Sequence, residues 1–446
     1  MKNYIEIKKD IFEEYGKETF FKIQNNDYSI SSGVNQFEIP KLYKQINSND
    51  INENITSYAA PKGNPMLIKA IVYYENFFSK SYDMFNEKNV CLVAGGTAGL
   101  NFVFEYLAIN SKKKAVAIGY SYTLFKLLAD RFGIELIVLK NKKEHYKISP
   151  DIDDVIKYVQ DYNPDFICLT DPSNPSGEMI SKEDFRRLIR ICKYKRIILL
   201  IDKCQRDELE LFDKEDYFSI NKVIAEEKAN NNTVVINSYS KIRSLPGARV
   251  GYVIGNEALI KYIEYLNTVT YWHCNALYTE AIVVDMMYQL IYIENGDEEL
   301  QKRIIKDFTK IILSYLPTKS SIKKIMQYID HKQVKAKAKL FCEAIKQNYN
   351  KIENNYKKSV EIARNNDLLI TTRKGGYNFC IKRKNMKLKQ GQLKKVMSER
   401  YSIEIFTQED FCGKESNEYW IRISCAEEEK EFLYLFNILV EQLSKL

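Results

Sequence analysis

Apolar residues along this chain fall into two alternating rhythms. Short continuous runs rich in β-branched and aliphatic residues recur as NVCLVAG (89–95), AVAIG (115–119), IELIVLK (134–140), DFICLTD (165–171), IILLID (197–202), VVINSY (234–239) and ARVGYVIG (248–255). Each is short enough for a strand and is bounded by turn residues. Between them lie segments with helical apolar spacing: 65–80 after a proline start, AGLNFVFEYLAI after Gly95-Gly96-Thr97, TLFKLLADRFG, and residues 181–193. Continuous apolar strands alternating with amphipathic helices predict an α/β fold, a mostly parallel sheet with helices on both faces. In such sheets ligands bind beyond the carboxyl ends of the strands.

After about residue 285 the pattern changes. Residues 296–365 read as long, charged helices, and GGYNFCIKR, a helix at 390–399, SIEIFTQ, YWIRISC and a final amphipathic helix read as a compact α+β unit. The expected division is a large domain over 46–300 and a smaller α+β domain built from 1–45 with 301–446.

The strand ends collect chemistry. Residues 233–255, TVVINSYSKIRSLPGARVGYVIG, form a strand, a polar loop with Lys241 and Arg249, and a second strand, which places two cations at a sheet edge. A lysine is a nucleophile when neutral, and an arginine holds an anion with a planar fork of donors. The rule of strand ends adds Gly96 and Thr97, Tyr122, the segment Asp171 to Gly177, Asp202 and Ser238 to the same crevice. Taken singly, each is also what an ordinary turn or core position looks like.

Composition narrows the classes. The chain has 446 residues, 45% hydrophobic and 28% charged, which is globular. The formal charge of +8 is dispersed in short lysine runs between apolar segments, the mark of solvated turns rather than a nucleic-acid surface. Nine scattered cysteines without a CxxC pair, and only three histidines, argue against a metal cage and for reduced core thiols in a cytoplasmic protein. No apolar run reaches the ~18 residues needed to span a bilayer, and the charged N-terminus does not read as a signal peptide.

The ordered set NPSG at 174–177, Asp202 at a strand end, and SYSK…PGARVGY resembles the fold-type I pyridoxal-phosphate enzymes, specifically the class I/II aminotransferases, over residues 50–270 and plausibly to the C-terminus. The resemblance implies an aspartate-aminotransferase-like fold and pyridoxal 5'-phosphate as cofactor. It implies Lys241 as the Schiff-base lysine and proton carrier, and Asp202 as partner of the cofactor's ring nitrogen. It places Gly96, Thr97, Ser238 and Arg249 on the phosphate, Tyr122 stacked on the ring, and Asn174 on the ring oxygen and near the substrate. Arg422 in YWIRISC matches the arginine that binds the substrate carboxylate, with Gly33 offering a backbone contact. Tyr58 matches a tyrosine that reaches the phosphate of a neighbouring subunit, and Asn275 falls at a related position, so a homodimer with shared sites is implied.

The chain departs from that pattern at Gln205, where the family carries a tyrosine in Asp-x-x-Tyr, and at Tyr120, where it carries proline. An amide donates a hydrogen bond but does not titrate. Thr270 stands near where dicarboxylate-specific relatives place an arginine, so aspartate is not the expected substrate. Tyr271, Trp272 and His273 are candidates for pocket lining or for core. The expectation is therefore an enzyme acting on an amino acid through Lys241, an aminotransferase first. A specialised lyase, cyclase or oxidase on the same scaffold is the alternative. A DNA-binding regulator carrying this fold is disfavoured, because the residues before about 50 show no helix-turn-helix pattern.

Overall fold

The structure, a computed structural model, describes residues 28–31, 33–46, 58–81, 84–141, 147–272, 278–316, 319–383, 390–411 and 420–445. The seven apolar runs become β1 (Val90–Ala94), β2 (Lys114–Ile118), β3 (Glu135–Leu139), β4 (Phe166–Thr170), β5 (Ile198–Asp202), β6 (Thr233–Ser238) and β7 (Val250–Ile254). They form one sheet in the order β1-β7-β6-β5-β4-β2-β3. Its pairs are parallel except those of β7, which runs antiparallel to β1 and β6.

The continuous apolar runs follow from burial on both faces. Along β5, Leu199 and Ile201 face one core and Leu200 the other. The first core also takes Leu92, Val116 and Ile167, under helices α1 (Pro65–Ser79), α4 (Ile152–Tyr162), α5 (Lys182–Lys195), α7 (Thr279–Ile293) and α8 (Glu298–Tyr315). The second takes Val93, Cys168 and Ile236 under α2 (Gly95–Ile109), α3 (Leu124–Phe132) and α6 (Glu257–Thr270). Helix ends obey local chemistry. At α5, Ser181 accepts from the Asp184 N–H at 3.1 Å, acids open the first turn and lysines close the last. By contrast, α2 starts at Gly95 after Ala94, with no side chain capping its first amides.

The smaller unit is an antiparallel sheet, in the order β10-β11-β9-β8, of β8 (Leu368–Ile370), β9 (Asn378–Arg383), β10 (Phe406–Thr407) and β11 (Ile421–Ser424). Helix α10 (Glu429–Lys445) and the end of α9 (Val334–Asn365) cover it. Residues 28–29 pair in parallel with 403–404.

Two expectations change. The stretch 233–255 is not at a sheet edge, because β6 and β7 lie inside the sheet between β1 and β5. The division at residue 300 also sits apart from the packing: Leu42, Tyr43 and Ile46, and Ile304 through Ile345, belong to the first core of the large sheet. The smaller core takes over along α9 at Ile352. We therefore propose that the large unit extends to the middle of α9, since one long helix spans both cores. The described residues include no helix long and apolar enough to cross a membrane. The seven cysteines among them are all free thiols.

Candidate active site

β6 ends at Ser238, which caps a single helical turn, Tyr239–Ile242, by accepting from the Ser240 N–H. That turn carries Lys241. Its Nζ donates to the Gly33 carbonyl at 2.6 Å, and its own carbonyl accepts from Asn35 Nδ2 at 3.0 Å. Burial lowers the Lys241 amine from 10.5 to about 8; Arg422 and Arg249 push the same way, against Cys204 and Asp202.

Asp202 closes β5 and is 6% exposed. Burial holds its carboxyl above the usual range, opposed by bonds from the Cys204 side chain and backbone and by the charge of Lys241. Among the described residues no cation pairs with it. A buried carboxylate in that state favours a protonated nitrogen as partner. Cys204 lies between Asp202 and the start of α2: a Cβ on Gly96 would meet its Sγ at 2.7 Å.

The start of α2 can hold an anion. Its amides lack a capping side chain, and the helix dipole adds partial positive charge. Arg249 lies across it, donating to the carbonyls of Ala94 at 3.1 Å and Pro246 at 2.9 Å, and has no carboxylate partner among the described residues. Gly95 is required there. Its φ is +77°, and a Cβ would sit 2.6 Å from Arg249 Nη2. Gly96 and Thr97 occupy the first turn of α2 rather than the loop before it. The Tyr122 hydroxyl bonds to Thr97, and burial raises its phenol, with Asp202 and Cys204 nearby. The Ser238 hydroxyl bonds to Ser240 Oγ at 2.9 Å and the Val250 carbonyl at 3.0 Å, so it already serves the turn that carries Lys241.

On the opposite wall, Arg422 projects from β11 and is 6% exposed. It donates to Asn174 Oδ1 at 2.9 Å and to the Ser31 carbonyl at 3.1 Å through Nε. Its guanidinium lies 5.1 Å and 4.8 Å from the ring centres of Phe406 and Phe411. No carboxylate among the described residues pairs with it, and burial lowers its affinity for its proton. Gly33, at φ +59°, touches it: a Cβ would stand 3.0 Å from Nη2. Gln205 sits three residues beyond Asp202, and its Oε1 accepts from Asn378 Nδ2 at 3.2 Å.

The sequence-predicted residues Lys241, Asp202, Gly96, Thr97, Tyr122, Ser238, Arg249, Asn174, Gly33 and Arg422 thus form one linked set, while the side chain of Gln205 turns to Asn378. Tyr58 is 75% exposed in the single chain. Asn275 and His273 lie outside the described residues. Tyr271 and Trp272 are neither core nor enclosed, at 47% and 58% exposed. Sequence reasoning missed Ser31, Asn35, Cys204, Tyr377 and the Phe406–Phe411 pair. Only Cys204, two residues past Asp202, carried a local signal. The others reach the site through tertiary folding.

A family model described as aminotransferase class I and II matches residues 20–437. An aspartate aminotransferase from a Bacillus species is 22% identical over 66% of this chain and 70% of its own length. A histidinol-phosphate aminotransferase from a Thermoanaerobacter species is 27% identical over 46% of this chain and 54% of its own length. The structure of an aspartate aminotransferase from Thermus thermophilus with maleate aligns at a TM-score of 0.73 and 15% identity, covering 99% of this chain and 100% of that one. That likeness establishes an aspartate-aminotransferase-like fold.

Proposed function

Because this chain belongs to the class I and II aminotransferase family, we propose that it is a pyridoxal-phosphate-dependent aminotransferase of amino acids. The observation that carries this reading is Lys241: a buried amine held near pKa 8, set between the unpaired carboxylate of Asp202 and the unpaired guanidinium of Arg422. The donor set fits the cofactor. The uncapped start of α2 with Arg249 suits its phosphate, Asp202 its ring nitrogen, Tyr122 a ring face, and Asn174 with Gln205 the ring's oxygen side. When bound, the cofactor supplies an electron sink for bonds at the substrate α-carbon.

The chain's own residues do the rest. Lys241 would hold the cofactor and, as a neutral amine, would take and return the α-proton. Asp202 would keep a proton on the cofactor's ring nitrogen. Arg422, fixed by Asn174 and Ser31, holds the substrate carboxylate by its fork of donors. Phe406 and Phe411 keep water off one face of that arginine. The active unit is a homodimer: Tyr58, Tyr265, Val269 and Trp272 are 75%, 59%, 59% and 58% exposed, large side chains for a partner copy to cover. Free, buried thiols suit a cytoplasmic setting.

The test is Lys241→Ala. It should abolish the visible absorbance of the lysine-bound cofactor and all turnover; a variant that keeps the band overturns the assignment. The Gln205–Asn378 amide pair, in place of a titrating phenol, favours a second reading as a lyase, cyclase or oxidase. Product formed without any 2-oxo acid acceptor would select it.

A further inference from the structure

One oxygen atom in the site serves two donors. The Gly33 carbonyl accepts from Lys241 Nζ at 2.6 Å and from the Tyr377 hydroxyl at 2.7 Å. Gly33 is in the left-handed region and pressed against Arg422, so the direction of its carbonyl is set. Tyr377 is rigid as well. It is 4% exposed in the smaller core, and its backbone carbonyl accepts from the Cys425 N–H at 2.8 Å. Gln205, at the place where a phenol is expected, instead turns its oxygen to Asn378. The Tyr377 phenol, just before β9 of the smaller sheet, shares the Gly33 carbonyl with the Lys241 amine.

We propose that Tyr377 is a positioning residue for Lys241: by occupying one lone pair of the Gly33 carbonyl it fixes the resting place of the amine and weakens the carbonyl's hold on the ammonium form. A carbonyl shared by two donors binds each less strongly than one it serves alone. Tyr377 also keeps the buried Gly33 oxygen satisfied when the amine leaves it to react. The inference rests on the reading of Lys241 as the reactive amine.

The charged and titrating groups around Lys241 come from every wall. Arg422 on β11 and Arg249 before β7 disfavour its proton, and Asp202 and Cys204 at the end of β5 favour it. Burial pushes the Tyr377 phenol far above its ordinary range, so it remains a donor at working pH; Arg422, Cys204, Cys425 and Tyr122 are its charged or titrating neighbours.

The experiment compares the full-length parent with Tyr377→Phe, which removes only the hydroxyl. Without cofactor, brief acetic anhydride pulses across neutral and alkaline pH, read by peptide mass spectrometry, give the apparent pKa of Lys241. The parent should titrate near 8, and the variant a few tenths of a unit higher, a fraction of the worth of one hydrogen bond to a charged group. In the loaded enzyme the acid limb of kcat should move the same way with KM little changed. Tyr356→Phe, which removes a hydroxyl bonded to the Thr371 carbonyl at 2.9 Å, should leave the labelling curve where it was. Superimposable curves for parent and Tyr377→Phe overturn the proposal. If those curves coincide while Lys241→Ala loses the band, the enzyme reading stands and Tyr377 falls. If Lys241→Ala keeps the band, the enzyme reading falls, and the labelling still decides Tyr377.

Discussion

Arg422 donates to Asn174 Oδ1 at 2.9 Å, joining the smaller sheet to the loop after β4 of the large one. The bond orients a buried guanidinium without neutralising it. A cation held in this way can bind a carboxylate at little reorganisation cost.

Lysine cannot reproduce that geometry, because a point charge lacks the planar fork. Arg422→Lys should lower kcat/KM for the amino acid roughly 10- to 100-fold, the worth of one lost charge-assisted bond. Cofactor affinity should change little. Steady-state kinetics alongside a cofactor titration separates the two effects.

Gly95→Ala tests the anion cradle. The new methyl group would press on Arg249 from 2.6 Å and would need a left-handed φ. The cofactor should bind at least tenfold more weakly, and inorganic phosphate should lose its protection of the cofactor-free protein against heat. Unchanged cofactor affinity would remove this helix start from the site.

Lys241 gives a pH signature in the cofactor-free chain. Its folded pKa, about 8, lies below the ordinary 10.5. Below pH 8 both states hold the proton and the burial penalty is complete. Between 8 and 10.5 the unfolded chain binds more protons, so stability rises with pH. Lys241→Met should therefore stabilise the cofactor-free protein by about 3 kcal/mol at neutral pH, with the advantage fading toward pH 10.5. Denaturant melts across pH give the comparison.

Beneath the site, Arg243 bridges two acids. Its Nε donates to Asp285 Oδ2 at 2.6 Å and its Nη1 to Asp207, while Tyr43 donates to Asp285 at 2.6 Å. The bridge ties the turn of Lys241 to the loop of Gln205. Arg243→Met leaves two buried carboxylates unpaired and should cost about 3–5 kcal/mol, read from the denaturant midpoint. Adding Asp207→Asn and Asp285→Asn should restore part of it.

The large sheet was legible because its inner strands are buried on both faces, and an apolar run of that length leaves little else to be; only β3, at the sheet's edge, is half exposed. The site's strand-end residues were legible for the same reason: Asp202 closes a strand, and Lys241 and Gly96 lie in the first helical turn after one. The direction of β7 was not legible, since an apolar strand reads alike in parallel and antiparallel pairing. The extent of the large unit was hidden too. One amphipathic helix, α9, covers two cores without changing its pattern.

The sequence by itself determined the α/β layering and the order of the strand-end residues along the chain, because these depend on local periodicity and on residues a few positions apart. Only the tertiary structure decided what surrounds Lys241. The Gly33 carbonyl and Tyr377 are far from Lys241 in the chain, and so are Arg422 and Asn174 from each other. Such contacts arise when two separate cores pack against one crevice, and no local spacing encodes the distances across it.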